Sequence, residues 1–207
     1  YMFQTPTTRV WKQLYDEGKL EAPQTFFWEP KPVEELYDLE YDPDEVQNLA
    51  ASPSHRAVLH RFREAHKNWV METRDLGFLP EGEIHQRAGD RTPYEMGQSD
   101  QDYPLVEIFE MAQLASQRDM ETLPQLVEAL GAEDSAVRYW GALGLLIRGK
   151  EAVVSQTEAL EEALKDDSPY VRAVAAEALG TFTDDSMPEV LEILVASSNM
   201  VEDGVFP

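Results

Sequence analysis

The stretch "LEEALKDDSPYVRAVAAEAL", residues 160–179, decides the fold of the C-terminal half because the chain contains it twice. A second copy, "LVEALGAEDSAVRYWGALGL" at residues 126–145, superposes on it without a gap at a spacing of 34 residues. Each copy reads as a helix, an acidic turn and a second helix. Repetition of a helical unit at such a period is typical of solenoids, in which each unit packs against its neighbours. The sequence therefore predicts an all-α solenoid over residues 104–207.

Small residues mark the places where the second helices of the two copies meet their neighbours. Gly141 and Gly144 stand where the other copy has Ala175 and Ala178. A glycine inside a helix costs roughly 1 kcal/mol relative to alanine. We therefore expect close helix packing around both glycines to offset that loss.

The segment "DDSPYVRAVAAEALG", residues 166–180, resembles the D-x-x-x-V-R-x-x-A-x-x-A-L-G pattern of the HEAT family of α-solenoid repeats. In that family the arginine and the acidic turn residues connect adjacent units. The resemblance therefore implies a repeat-bridging structural role for four residues here, which are Asp134, Arg138, Asp167 and Arg172.

A third unit is expected to be incomplete. "PEVLEILVASS", residues 188–198, reads as its first helix, and a further step of 34 residues places Val205 where Val171 stands in the preceding unit. Phe206 then follows in place of an arginine. We expect an apolar surface that accepts a protein partner or a second copy of the chain, formed by Leu191, Leu194 and Val195.

Residues 1–79 differ in character and predict a small α/β (α+β) subdomain. A short helix is expected within residues 7–20, and a short strand from Leu36 to Leu39. A longer helix ending near Arg74 is expected to bury one face, made of Val58, Phe62, Ala65, Trp69 and Val70. Residues 80–103 lose this periodicity and collect Pro, Gly, Asp and Gln, which indicates a linker.

The segment "EELYDLEYDPDEVQNLA", residues 34–50, resembles the C-terminal subdomain of the sulfatase family, within the alkaline-phosphatase-like superfamily. The family pattern is L-Y-D-L-x-x-D-P-x-E-x-x-N-L-A, and the resemblance covers roughly residues 1–85. It implies an edge strand, a turn and the start of a terminal helix. Asp42 and Asn48 are expected to satisfy the backbone of the turn.

The chemistry of that family belongs to an N-terminal catalytic domain that this chain does not contain. There a formylglycine and a calcium ion act on the sulfate ester. The resemblance thus implies that this chain is the non-catalytic C-terminal part of a sulfatase (a sulfuric ester hydrolase), with no cofactor of its own and with the catalytic domain as its partner. A chain that opens at Tyr1 fits a piece of a longer protein. A periplasmic or secreted location is a family expectation only.

The motif "ASPSHR", residues 51–56, is close to the C-x-P-S-R motif in which formylglycine forms. Ala51 stands at the position of the nucleophile and has no group to oxidise. His55 stands where the arginine is needed, and Arg56 comes one residue late. The segment is therefore interpreted as a serine–proline helix start, and no catalytic residue is predicted.

The charge of the chain limits its partners. It has 40 Asp and Glu against 17 Lys and Arg, which gives a net charge of −23. Such a charge repels phosphate backbones and anionic lipids, so neither nucleic acid nor membrane is expected as a partner. The absence of cysteine excludes disulfides and thiolate metal sites. His55, His60 and His66 are spaced by five and six residues, which does not suit a metal pair on one helix face.

Basic residues are candidate contacts with an anionic sulfated substrate. For Arg74, which belongs to a basic helix face within residues 51–74, the alternative is that this face pairs with acidic neighbours in the missing catalytic domain. The substrate-rim candidates are Arg74, His85, Arg87 and Arg91.

Two other functions compete with the sulfatase interpretation. One is a freestanding HEAT-like binding or scaffold module, against which the sequence offers a single argument: one short strand without neighbours is not stable. The other is an unfamiliar hydrolase that uses carboxylates, which activity of this chain alone on an aryl sulfate or phosphate ester would support.

Overall fold

The computed structural model describes residues 2–183 and 187–198, and every regular element in these ranges is a helix. The α-helices are α1 (Pro6–Asp16), α2 (Arg56–Thr73), α3 (Glu81–Ala88), α4 (Pro93–Gly97), α5 (Leu105–Ser116), α6 (Leu123–Ala129), α7 (Ser135–Arg148), α8 (Lys150–Ser155), α9 (Thr157–Ala163), α10 (Pro169–Phe182) and α11 (Met187–Ser198). Five single 3₁₀ turns lie at Met2–Gln4, Phe26–Trp28, Pro53–His55, Leu76–Phe78 and Met120–Thr122.

The predicted α/β subdomain of residues 1–79 is wrong, because the described part of the chain contains no β-strand. Residues 36–39, the predicted strand, have an irregular backbone. One backbone pair joins them to residues 48–50, from Leu49 N to Leu36 O at 2.7 Å. The Leu36 N–H is taken by the Asn48 side chain at 3.0 Å. A strand needs a ladder of such pairs with a neighbour, and this segment has no ladder.

The turn that follows is held by side chains, as predicted for Asp42 and Asn48. Asp42 is buried, and its carboxylate accepts from Val46 N at 3.1 Å and from Gln47 N at 2.8 Å. Asn48 Nδ2 donates to the Glu34 carbonyl at 2.9 Å. These bonds satisfy the backbone locally, which is why the motif keeps a defined shape without a sheet.

The chain divides into two compact units, residues 1–65 and residues 66–207. In the N-terminal unit, aromatic rings gather around Trp28, which Trp11 and Phe27 contact at centroid distances of 5.2 and 4.8 Å. Among residues 2–65 the buried hydrophobic side chains are only Leu36 and Leu59. The predicted buried face of α2 is wrong at Phe62, Ala65 and Trp69, which are exposed; Phe62 and Trp69 are 52% and 55% exposed.

The C-terminal unit contains the helical repeats. The bounds of α6 and α7 become those of α9 and α10 when 34 is added to each residue number, as the sequence predicted. Gly141 and Gly144 lie where helices come close. A Cβ on Gly141 would stand 2.9 Å from the Leu126 carbonyl oxygen, and one on Gly144 would stand 2.6 Å from Leu126 Cδ2. The expected close packing is therefore present.

Residues 80–103, interpreted from sequence as a linker, contain α3 and α4. They bury Ala88, Met96 and Tyr103 in one hydrophobic cluster with residues of α5 and α7. Their polar composition reflects caps and ion pairs; Thr92, for example, forms a capping box with Glu95 at the start of α4. The division of the chain at residues 79 and 103 stays a prediction.

The last described helix, α11, packs on α10 and buries Val190. Leu191, Leu194 and Val195 are exposed, as the sequence predicted. The predictions for Val205 and Phe206 lie outside the described residues. Over the described ranges, none of the helices combines the length and the hydropathy needed to cross a membrane.

Candidate functional site

Arg87 in α3 is the centre of a buried ion-pair cluster in the C-terminal unit. Its Nη1 and Nη2 donate to the two carboxylate oxygens of Asp134 at 2.8 and 2.9 Å. Its Nε and Nη2 donate to Glu83 Oε1 at 3.0 and 2.6 Å. Nη1 also reaches the Asp102 carbonyl at 2.8 Å, and Nη2 reaches Ser135 Oγ at 3.0 Å. Every nitrogen of this guanidinium is therefore engaged.

A second arginine, Arg138 in α7, connects the two repeats. Nε and Nη2 donate to the carboxylate of Asp166 at 2.7 and 2.9 Å, and Nη2 donates to Asp167 at 2.6 Å. Nη1 donates to the carbonyls of Ala132 and Glu133 in its own turn, at 3.0 and 2.8 Å. A guanidinium is suited to this task because its donors diverge in one plane.

The next repeat reproduces half of that arrangement. Arg172, 34 residues after Arg138, donates from Nη1 to the carbonyls of Asp166 and Asp167 at 2.6 and 3.0 Å. Asp134, in turn, accepts from Ala136 N and Val137 N and so caps α7. The four residues assigned to repeat bridging thus lie at the turns, and Arg138 contacts the neighbouring repeat directly.

The surroundings of Asp166 and Arg87 shift the pKa of each group. Burial by itself raises the pKa of Asp166, but hydrogen bonds from Arg138 and the Ser168 amide outweigh burial and hold that pKa below its usual value. Burial by itself lowers the pKa of Arg87, but the hydrogen bonds that Arg87 donates to Asp134 and Glu83 outweigh burial and raise that pKa above its usual value. The two shifts favour the charged forms of Asp166 and Arg87.

A polar cleft of about 420 Å³ opens beside the two arginines. It is lined by Glu83, Gln86, Arg87, Glu133, Ser135, Arg138, Asp167, Ser168 and Pro169. Two of its oxygens are unusual: Glu83 Oε2 and Ser168 Oγ are buried and have no hydrogen-bond partner within the residues that the structure describes. Most buried polar atoms in proteins have a partner, so such atoms need an explanation.

The hydroxyl of Tyr170 is a third buried oxygen without a partner in this part of the described chain. Burial raises the pKa of Tyr170, and the negative charge of Glu83 raises it further. The cleft is thus lined by more carboxylates than arginines, and two of its buried oxygen atoms have no hydrogen-bond partner in the described chain.

The other substrate-rim candidates stand apart from this cleft. Arg74 donates to the carbonyls of Gly97 and Tyr103 and pairs with Asp100 at 2.8 Å. Arg91 pairs with Asp102 at 2.7 Å and donates to the Arg87 carbonyl. His85 is exposed. The arginines thus hold residues 97–103 in place, and contact of these four residues with a substrate stays a prediction.

Glu83 and Asp166 are among the members of the site that sequence reasoning missed, as is Ser168. Glu83 stands four residues before Arg87, the spacing at which helical side chains meet. Asp166 is adjacent to Asp167, which the HEAT pattern had singled out. Both signals were present in the sequence, but neither tells which carboxylate an arginine selects. Within residues 2–183 and 187–198, no group of three or more His, Asp or Glu could hold a metal ion.

Comparison with known proteins supports the repeats and gives a partial likeness to an enzyme. The HEAT repeat family matches residues 157–186, which include α9 and α10. The chain is also 36% identical over 85 residues to an ulvan-active sulfatase of Formosa agariphila, and the similarity covers 41% of this chain and 14% of that protein. The chain therefore spans about a seventh of the length of this relative. No solved structure matches the chain.

Proposed function

We propose that the chain is the non-catalytic C-terminal portion of a sulfatase, in which residues 1–65 complete the catalytic domain and the helical repeats form an interaction module. The partial similarity to the ulvan-active sulfatase supports the first role. The HEAT match supports the second, because repeats of this kind commonly mediate protein interactions.

One observation carries the proposal: the N-terminal unit has almost no core of its own. Large hydrophobic side chains of this unit are exposed instead, namely Met2, Phe3, Val10, Phe26, Phe27, Val33, Leu39, Tyr41 and Phe62. Exposed apolar surface of this extent is typical of an interface. A catalytic domain of the same polypeptide would cover these side chains, and the segment at residues 34–50 would lie against it.

The chemistry would then belong to the covering domain. It would supply the formylglycine and the calcium, while this chain supplies scaffold. His85 and Arg91 are the most exposed of the four rim candidates and would be the first to test as contacts with a sulfated substrate. Ulvan, on which the similar sulfatase is named as active, is the first substrate to test with the parent enzyme.

An activity assay tests the non-catalytic assignment. The purified chain is incubated with 4-nitrophenyl sulfate and calcium, and release of 4-nitrophenol is followed by absorbance. We expect no release above buffer. Release that copurifies with the chain to constant specific activity contradicts the proposal.

A surface variant tests the covering role. The triple substitution Val10→Ser, Tyr41→Ser and Phe62→Ser removes side chains that are 56%, 81% and 52% exposed. The unfolding midpoint of the chain alone should change little, because more than half of each of these residues is already exposed to water. The parent enzyme should lose soluble activity. The control is Val106→Ser in α5, which is 58% exposed and lies in the C-terminal unit; an equal loss with this control contradicts the proposal.

A freestanding HEAT-like scaffold is the second candidate, and the HEAT match favours it directly. The argument against it from an isolated strand no longer applies, because the predicted strand at residues 36–39 is absent. The triple variant separates the two candidates, since a freestanding scaffold has no catalytic domain to lose.

A further inference from the structure

We propose that the cleft between α3 and the turns before α7 and α10 binds a lysine side chain of a partner protein, with Glu83 and Ser168 as the residues that receive its ammonium group. This proposal deepens the interaction role of the repeats. It does not depend on the sulfatase assignment.

The first argument is the state of two cleft oxygens. Glu83 is 3% exposed, and its Oε1 accepts from Arg87 and Ser135 while its Oε2 has no partner in the described chain. Ser168 is 8% exposed, and its Oγ is equally without a partner there. A buried carboxylate oxygen without a donor is costly, so a ligand that brings N–H groups is favoured.

The second argument is the position of Ser168 at the N-cap of α10. A serine in this position normally accepts from a backbone N–H of the first helical turn. Asp134, its equivalent one repeat earlier, does so at 2.8 Å from Ala136 N. Ser168 makes no such bond. Its hydroxyl is therefore available to a ligand in the cleft that it lines.

The third argument is charge. Arg87 faces the carboxylates of Glu83 and Asp134, and Arg138 faces those of Asp166 and Asp167. Each arginine thus meets two carboxylates, and Glu133 adds another at the cleft wall. The further arginine at these turns, Arg172, donates to main-chain carbonyls. The cleft therefore carries more negative than positive charge, and a cation from a partner would reduce this imbalance.

A lysine suits the cleft better than a metal ion or an anion. The described residues offer no metal-binding group, and the surplus of carboxylates repels anions. An ammonium group carries three N–H donors, and both the Glu83 carboxylate and the Ser168 hydroxyl can accept from them. Glu83 Oε2 and Ser168 Oγ are screened from solvent, so side chains around the cleft must move before the ammonium group can reach them.

The test is a titration of the full chain with the peptide acetyl-Gly-Lys-Gly-Lys-Gly-amide, followed by calorimetry and by amide chemical shifts. A chain of net charge −23 attracts any cation weakly, so matched variants are needed. Glu83→Gln removes one negative charge in the cleft, and Glu81→Gln removes one on the exposed start of the same helix. We expect Glu83→Gln to weaken binding about tenfold or more and Glu81→Gln to leave it nearly unchanged.

Ser168→Ala is the second cleft variant, and it keeps the test valid if Glu83→Gln fails to fold. It deletes a hydroxyl that makes no bond in the described chain, so the free protein should be equally or more stable. We expect it to weaken the lysine peptide and to abolish shifts at the amides of residues 83 and 168. Two control peptides replace both lysines, one with norleucine and the other with arginine. Equal binding by wild type and both cleft variants overturns the proposal, as does binding of the norleucine peptide as tight as that of the lysine peptide. Tighter binding of the arginine peptide overturns the choice of lysine.

Discussion

Arg138 and Asp166 stand 28 residues apart in sequence and form a two-pronged ion pair, in which Nε and Nη2 of the arginine meet the two carboxylate oxygens at 2.7 and 2.9 Å. The arginine lies in the second helix of one repeat and the aspartate lies in the turn of the next. Their side chains are 13% and 10% exposed. This pair therefore links two adjacent repeats directly.

A double-mutant cycle with Arg138→Met and Asp166→Asn should give a coupling free energy of about 1–2 kcal/mol. Loss of one partner from a buried pair costs roughly 3–5 kcal/mol, and this pair keeps some contact with water, so we expect a smaller value. Urea unfolding of the four proteins measures it. The control is the more exposed pair of Arg91 with Asp102, for which the coupling should be much weaker. Equal coupling in the two pairs would mean that burial does not matter here.

The same aspartate should make stability depend on acid pH. Its folded pKa lies below the unfolded value of about 3.9, so the stabilisation is present above pH 4 and is lost as the pH falls through the lower folded pKa. We expect the wild type to lose more unfolding free energy than Asp166→Asn between pH 5 and pH 3. Comparing the two proteins removes the contribution of the other acidic groups. Parallel pH curves would contradict the lowered pKa.

Gly141→Ala should destabilise the chain by about 1–3 kcal/mol although alanine is the better helix former. The new Cβ would stand 2.9 Å from the Leu126 carbonyl oxygen, a main-chain atom that cannot move without shifting α6. Gly131→Ala is the control, because its Cβ would meet its nearest atom at 3.6 Å. Thermal unfolding measures both variants. A stabilised Gly141→Ala protein would show that the helices are not in close contact there.

The repeats were predictable because their signal is periodic. The 34-residue spacing placed α6, α7, α9 and α10, and the glycines at positions 141 and 144 indicated their contacts correctly. The strand at Leu36–Leu39 was wrong for a physical reason, since a strand depends on a neighbour that the sequence of the segment does not contain. The local hydrogen bonds of Asp42 and Asn48 depend on no neighbour, and these were predicted correctly.

The candidate site was predictable in part. The HEAT pattern selected Arg138 and Arg172, because each occupies a fixed position in its repeat. Arg87 was selected only as a substrate contact, yet it joins α3 to the turn before α7 through Asp134. That contact spans 47 residues and lies outside the repeat period, so no spacing rule could reveal it. The unpaired oxygens of Glu83 and Ser168 likewise become visible only in three dimensions.

A chain that lacks residues 2–55 should keep most of its thermal stability. Both hydrophobic clusters consist of residues from Val70 onward, and Val70, Phe109 and Leu179 are almost wholly buried. We expect a cooperative helical transition by circular dichroism, with a midpoint close to that of the full chain. A shortened chain without a cooperative transition would show that the N-terminal unit contributes more than its two buried hydrophobic side chains indicate.

Sequencing of the transcript on the 5′ side of the codon for Tyr1 tests the central claim most directly, because the proposed role requires a catalytic domain in the same polypeptide. We predict an open reading frame that continues upstream and encodes a C-x-P-S-R or serine-containing equivalent motif. A reading frame that begins at or just before this codon, with no such motif, would contradict the account and leave the scaffold alternative.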